Sequence, residues 1–136
     1  MESPAIPDLS GKVDPRHVST LQTGRFKAEY INWSRVKNYL RIYNPDWVPF
    51  CVRNEKGGIE HEAPNGSFYL LISFRHIPTG YELPPVPHGQ DLPKESSGRD
   101  LSDAFVRGMC KAAAFHFGLA WELWSKDDPM VRRDQK

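Results

Sequence analysis

The sequence predicts an α+β fold in which an antiparallel β-meander of three to four strands is flanked by an N-terminal helix and a long, mostly buried C-terminal helix. Two segments, near residues 33–43 and 101–117, repeat apolar residues at helical spacing. Between them lie short apolar runs separated by turns rich in Gly, Pro and Asn. Because the helices stand outside the run of strands and do not alternate with it, this order is typical of α+β domains.

Length and composition set the broad class. The chain of 136 residues fits one domain, and its 39% of hydrophobic residues supports a modest core. A formal net charge of +1 means that any nucleic-acid-binding surface must come from local clustering of basic residues. The chain has no apolar run of membrane-spanning length and no signal-peptide pattern, and Cys51 and Cys110 form no CxxC motif. We therefore expect a cytoplasmic protein with reduced thiols.

The amino-acid composition along the chain predicts three parts. Residues 1–24 are rich in Pro, Ser, Thr, Gly and charge without any period, and we expect a flexible N-terminal arm. Residues 25–124 form the core domain. Residues 125–136 are again strongly charged and are expected to be a flexible C-terminal tail.

The first predicted helix covers Trp33–Tyr43. Asn32 is a favourable N-cap, and Pro45 forces the residue before it out of the helical region. Lys37 and Arg41 lie one turn apart on the outer face of this helix, with Arg35 nearby.

The middle of the chain predicts strands near residues 47–53, 59–62 and 67–77. The last is the best strand, because side chains alternate between faces and both of its faces are apolar as far as Ser73. A central strand, covered on both sides, is therefore expected. A return strand begins at residues 81–83, and prolines at 84, 85 and 87 either end it or confine it to an edge of the sheet. Residues 88–99 are predicted to form a polar loop.

The second predicted helix runs from about Leu101, capped by Asp100 or Ser102, to Phe117, with Gly118 as its C-cap. A broad apolar arc surrounds most of it. The members of the arc are Leu101, Ala104, Phe105, Gly108, Met109, Ala112, Phe115 and His116, extended by Val106, Cys110, Ala113 and Phe117. One small sheet cannot cover so wide an arc, so a neighbouring subunit is expected on the other side. The apolar segment 119–124 is predicted to be a further strand or a docked extended segment.

A narrow polar strip remains on the second helix, formed by Asp103, Arg107 and Lys111 together with Ala114. Two interpretations are open for the basic pair. It is either a solvated stripe that is paired with Asp103, or a pair of side chains that contact phosphates.

No motif for catalysis stands out. The glycines form neither a GxxxxGK[ST] nor a GxGxxG loop, the histidines fit no zinc spacing, and no Ser or Cys nucleophile signature occurs. No cofactor, no metal and no enzymatic activity are therefore expected. One alternative remains, because Glu60, Glu62 and Glu82, together with Asp100 or Asp103, would resemble a metal-nuclease site if they converged.

Two segments carry a resemblance to a known family. They are residues 30–34 (YINWS) and 103–121 (DAFVRGMCKAAAFHFGLAW), followed by an acidic KDDP segment at 126–129. In this order they are similar to phage single-strand DNA annealing proteins of the Rad fifty-two-like recombination superfamily. The chain departs from that pattern at Ala120, where the family has a second glycine.

The resemblance implies ATP-independent binding of single-stranded DNA and annealing of complementary strands in phage homologous recombination. It implies a homo-oligomer, as a ring, an arc or a filament, with a positively charged groove. A partner exonuclease or a host single-strand binding protein would accompany it. The expected DNA-binding residues are Arg107, Lys111, Arg75, Lys37, Arg41 and Arg53. Tyr69, Phe74 and Tyr81 are expected either to stack on bases or to belong to the core or a subunit interface.

Two other functions stay open from the sequence. One is a single-stranded DNA-binding or partner-recruiting module that does not anneal strands. The other is a small metal-dependent nuclease.

Overall fold

The computed structural model describes residues 3–92 and 97–125 of the chain. A single 3₁₀ turn at Pro15–His17 precedes the first strand. The strands are β1 (Val18–Thr23), β2 (Phe26–Ile31), β3 (Trp47–Cys51), β4 (Glu60–Glu62), β5 (Phe68–His76) and β6 (Val86–Leu92), and the helices are α1 (Trp33–Tyr43), α2 (Gly98–Phe117) and α3 (Trp121–Ser125). The α+β class with antiparallel sheets is thus confirmed. Within the described residues, no helix combines the length and the hydrophobicity that crossing a bilayer requires.

Helix α1 has the predicted bounds. The Asn32 Oδ1 accepts a hydrogen bond from the backbone N–H of Ser34 at 2.9 Å, which satisfies a donor at the start of the helix. Its buried side chains are Val36, Tyr39 and Leu40. The helix ends at Asn44, where the following proline prevents another turn.

Strand β5 is the centre of the larger sheet, as predicted. β3 pairs with the second half of β5, from Trp47 opposite His76 to Cys51 opposite Ile72. β4 continues along the same edge and β6 pairs along the other, all antiparallel. The side chains of Leu70, Ile72 and Phe74 on one face are fully buried.

The predicted return strand and polar loop are wrong in detail. In residues 81–83, only an isolated bridge between Glu82 and Arg75 forms. Regular pairing resumes in β6, which extends to Leu92 and so includes the first residues of the expected loop 88–99. The buried Ser73 hydroxyl donates a hydrogen bond to the Leu83 carbonyl oxygen at 2.5 Å and so fixes the irregular segment that precedes β6. The prolines therefore interrupt the strand without ending it, and β6 lies at an edge of the sheet, which is one of the two outcomes expected for them. Residues 93–96 of that loop lie outside the described residues.

Helix α2 begins earlier than predicted. The backbone N–H of Asp100 donates to the Ser97 hydroxyl at 3.2 Å, and the Ser97 N–H donates to the Asp100 carboxylate at 3.0 Å. This reciprocal capping box uses Ser97 as the cap, where Asp100 or Ser102 was expected. The C-terminus is as predicted, since Gly118 adopts a φ of +72° and its N–H donates to the Ala114 carbonyl oxygen.

Gly108 brings α2 close to the larger sheet. A Cβ on this residue would overlap the Cδ1 of Ile72 and lie 3.3 Å from the Cβ of His88. Half of the twelve residues of the predicted arc are buried, namely Gly108 together with Ala104, Met109, Ala112, Ala113 and Phe117. Phe115 was wrongly placed among them, because its side chain is 73% exposed.

The chain divides into two compact units. The first is built mainly from Pro45–Ala112 and contains the four-stranded sheet and the first part of α2. The second contains Ile6–Asn44 and the chain after Ala112, and so holds the β1–β2 hairpin, α1 and α3.

The segment expected to be an arm contains regular structure. Leu9 is 3% exposed, and its N–H donates to the Phe117 carbonyl oxygen at 2.7 Å. The backbone N–H of Asp14 donates to the Tyr39 hydroxyl at 2.9 Å, and the same hydroxyl lies 2.6 Å from Nδ1 of His17. The apolar residues of this segment differ in burial, since Leu9 is enclosed whereas Ile6 and Leu21 are about half exposed.

The segment after α2 is helical, although a strand or an extended segment was expected. Gly118 and Ala120 both take positive φ values, and the chain then turns into α3. A short apolar run does not distinguish a strand from a helix by its periodicity. Beyond Ser125, the predicted tail and its acidic KDDP segment lie outside the described residues.

Candidate nucleic-acid interface

The six expected DNA-binding residues fall into three pairs. Lys37 and Arg41 lie on α1, in the second unit. The other pairs belong to the first unit: Arg53 with Arg75 at the sheet, and Arg107 with Lys111 on α2. The three pairs differ in whether their charged groups already form hydrogen bonds or ion pairs with other residues of the chain.

Helix α1 presents positive charge alone. Its sequence contains Arg35, Lys37 and Arg41 and no acidic residue, and all three side chains are exposed. The Arg41 guanidinium donates a hydrogen bond to the side-chain oxygen of Asn38 at 3.1 Å, which leaves its charge unneutralised. No described residue forms a hydrogen bond or an ion pair with the side chain of Lys37.

Arg75 is engaged by its neighbours. Its Nη2 and Nε atoms lie 2.6 and 2.9 Å from one carboxylate oxygen of Glu82, and its guanidinium stands over the Phe50 ring at 4.7 Å. Arg53 donates from Nη1 to the Gly57 carbonyl oxygen at 2.7 Å. Both arginines line one open cleft of about 620 Å³, but only the charge of Arg53 has no carboxylate beside it.

The two basic residues of α2 differ in exposure and in their contacts. Arg107 is exposed, and nothing in the described part of the chain forms a hydrogen bond or an ion pair with it. Lys111 is half-buried, and its ammonium donates a hydrogen bond to the Pro87 carbonyl oxygen at 3.1 Å. Neither residue pairs with Asp103 as a solvated stripe would.

Of the three aromatic residues expected either to stack on bases or to belong to the core or an interface, Phe74 belongs to the core. Its side chain is 0% exposed and lies in the core, so it cannot reach a base. Tyr81 is half-buried and lines the same cleft as Arg53 and Arg75. Tyr69 is half-buried beside His61, with 5.7 Å between the ring centroids.

The acidic residues of the nuclease alternative do not converge. Glu60 pairs with Leu70, whereas Glu82 pairs with Arg75. Positions 70 and 75 of β5 are an odd number of residues apart, so their side chains, and those of the paired glutamates, lie on opposite faces. Among the residues that the structure describes, no three His, Cys, Asp or Glu side chains are placed to hold a metal ion.

Neither described thiol is activated. Burial raises the pKa of Cys110 to about 11. Burial also raises the pKa of Cys51, although Arg53 opposes the shift. A thiol is nucleophilic only as the thiolate, so both are poor nucleophiles at neutral pH.

Sequence reasoning did not include two exposed residues of α1, Trp33 and Arg35, in the candidate site. Trp33 is 50% exposed, and its spacing of four residues from Lys37 was visible in the sequence. The sequence uses Trp33 as an apolar position of the helix and as part of the 30–34 segment, and neither use assigns it a contact with bases. Cations beside an exposed aromatic ring suit a ligand that carries both phosphates and bases. No protein-family model matches this chain, and no curated protein matches it significantly.

Proposed function

We propose that this protein binds single-stranded DNA and anneals complementary strands without ATP, as a homo-oligomer that acts in phage homologous recombination. The observation that carries the proposal is the segregation of charge on α1, which exposes three cations and has no carboxylate in a chain of net charge +1. The resemblance of residues 30–34 and 103–121 to phage annealing proteins supports the same function.

The cations act on the phosphate backbone. Lys37 and Arg41 lie one turn apart on α1 in the second unit, and Arg107 is a separate exposed cation of the first unit. Each phosphate that they neutralise releases condensed counterions, which favours binding whatever the base sequence. Contacts of this kind position a strand and leave the base-pairing edges of its bases free.

Annealing itself requires no hydrolysis. Base pairing between the two strands supplies the free energy, and the protein needs only to hold one strand extended with its bases accessible. Several subunits side by side would hold a longer strand. The homo-oligomer belongs to the proposal because the resemblance of residues 30–34 and 103–121 to phage annealing proteins implies one.

Two measurements test the proposal. Fluorescence anisotropy with a labelled single-stranded oligonucleotide, at several salt concentrations, gives the affinity and the number of phosphates neutralised. The logarithm of the association constant is expected to fall by about 0.7 per phosphate for each decade of salt. A second assay mixes two complementary oligonucleotides, labelled as an energy-transfer pair, with the protein and no ATP.

Variants of α1 make the test specific. The double variant Lys37→Ala/Arg41→Ala is expected to bind the strand at least tenfold more weakly and to give a shallower salt dependence. Arg16→Ala is the matched control, because Arg16 is exposed but already paired with Asp14 at 2.7 Å. Binding without faster pairing would support a binder that does not anneal, and an unchanged affinity of the double variant would show that α1 is not the interface.

A further inference from the structure

We infer that Trp33 is a base-stacking platform, so that one base of a single strand lies on its indole ring while the adjoining phosphates lie on Lys37 and Arg41. This inference rests on the proposed function and deepens it. It assigns to the site a contact with the bases, whereas the basic residues contact only the backbone.

The position of Trp33 is held from both sides. Strand β2 ends at Ile31, and α1 begins at Trp33 itself. Between them, the Asn32 side chain accepts hydrogen bonds from the backbone N–H and the hydroxyl of Ser34, at 2.9 and 2.8 Å. A residue between a paired strand and a capped helix has little backbone freedom, so its ring is presented with a small loss of conformational entropy on binding.

The exposure of Trp33 sets it apart from the buried aromatic residues. Half of its side chain is open to solvent, although it lies next to the buried face of α1 that contains Val36 and Leu40. Stacking a base would remove the remaining apolar surface of the ring from water. An indole ring stacks on any base, because every base has a π-face.

The charges around Trp33 identify the ligand. Positions four residues apart on a helix lie one above the other, so Trp33, Lys37 and Arg41 form one ridge along α1. No acidic residue of α1 opposes an anionic ligand on this ridge. An aromatic ring followed by two cations matches a strand in which a base and its neighbouring phosphates alternate.

The other exposed aromatic residues differ from Trp33 in their surroundings. Phe115 follows Arg107 and Lys111 at the same spacing on α2, but Lys111 already donates to the Pro87 carbonyl oxygen, and Asp103 precedes Arg107 at that spacing. Tyr43 already stacks on Tyr39, with 6.2 Å between the ring centroids, and Lys12 lies 5.5 Å from its centroid. Trp121 is also 50% exposed, but α3 has no basic residue and carries Glu122 beside it. Trp121 is therefore a matched control of equal residue type and equal exposure.

The test removes the ring and the base separately. Trp33→Ala, Trp33→Phe, Trp121→Ala and the wild type are titrated into two labelled strands of equal length and charge, one of thymidines and one with abasic sites in place of most bases. For the thymidine strand, Trp33→Ala is expected to bind between about fivefold and a hundredfold more weakly than the wild type. Trp33→Phe retains most of the affinity, and Trp121→Ala binds as the wild type does. For the abasic strand, all four proteins are expected to bind alike.

The outcomes separate this inference from the proposed function. Failure of the wild type to bind any single strand overturns both. If the wild type binds, an equal loss on both strands, or no loss for Trp33→Ala, overturns the stacking role and leaves the proposed function standing. If circular dichroism shows that Trp33→Ala does not fold, the affinities of the wild type and of Trp33→Phe for the two strands test the inference instead. A preference for the thymidine strand that is smaller in Trp33→Phe supports the inference, and equal affinity for the two strands refutes it.

Discussion

The ammonium of Lys111 donates a hydrogen bond to the carbonyl oxygen of Pro87, 3.1 Å away, at the outer edge of β6. Pro87 pairs with Leu71, and the Leu71 carbonyl accepts from Val52 on the opposite side of β5. In an antiparallel pair of this kind the backbone groups of the two residues point apart, so the Pro87 carbonyl faces outwards. A proline has no N–H to expose there, and Lys111 covers the carbonyl, so this edge is protected against pairing with another strand.

The first prediction separates the two basic residues of α2. Lys111→Met keeps the aliphatic stem and removes the ammonium, and it is expected to lower the free energy of unfolding by about 1 kcal/mol, less than for a fully buried charged hydrogen bond because the side chain is only half-buried. Arg107→Ala is expected to leave stability within about 0.5 kcal/mol and to weaken binding of single-stranded DNA. Urea denaturation and anisotropy measure the two effects. The reverse ranking of the two variants in stability would contradict the assignment.

The second prediction concerns the packing of α2 on β5. Gly108→Ala is expected to destabilise the protein by about 1–3 kcal/mol, because its Cβ overlaps the Cδ1 of the fully buried Ile72. Ile72→Val removes that Cδ1 and by itself costs about 0.5–1.5 kcal/mol. The double variant is therefore expected to be more stable than the sum of the two single effects allows. Strictly additive effects in thermal or urea denaturation would show that the two residues do not meet.

The third prediction concerns the N-terminal segment. Leu9→Ala is expected to lower the free energy of unfolding by about 2–4 kcal/mol, because it empties a buried site next to the end of α2. Ile6→Ala is the control, since that side chain is 50% exposed and its loss should matter little. Equal stabilities of the two variants would favour the flexible arm that the sequence suggested.

The fourth prediction follows from the pKa of Cys110. Burial raises that pKa from 9.0 to about 11, so at pH 8 its thiolate population is about a hundredfold lower than for an exposed thiol. Alkylation by iodoacetamide, followed by mass spectrometry, is expected to be slow in the native protein and fast in urea. The stabilisation linked to the neutral thiol is complete below pH 9.0 and is lost as the pH rises through about 11. Cys110→Ala should remove that part of the alkaline loss of stability, and rapid native labelling of Cys110 would argue against its burial.

Local signals predicted the helices and the central strand well. The Asn32 cap and the proline after Asn44 lie within a residue or two of the ends of α1, so its bounds could be read directly. Gly118 ended α2 in the same way, and alternation identified β5. The second cap was missed because Ser97, Asp100 and Ser102 are all good capping residues, and only the chain direction before the helix selects one of them.

The sequence by itself determined the class of the fold, the positions of α1, β5 and α2, and the clustering of positive charge on α1, because periodicity, caps and charge are properties of short segments. Only the tertiary structure decided which equivalent residues serve the core and which face solvent. Phe74 is enclosed while Tyr69 is half-open, and Lys111 caps an edge carbonyl 24 positions away while Arg107 keeps its charge free among the described residues. The physical reason is that periodicity assigns a residue to a face, whereas the partner that covers that face comes from a distant part of the chain.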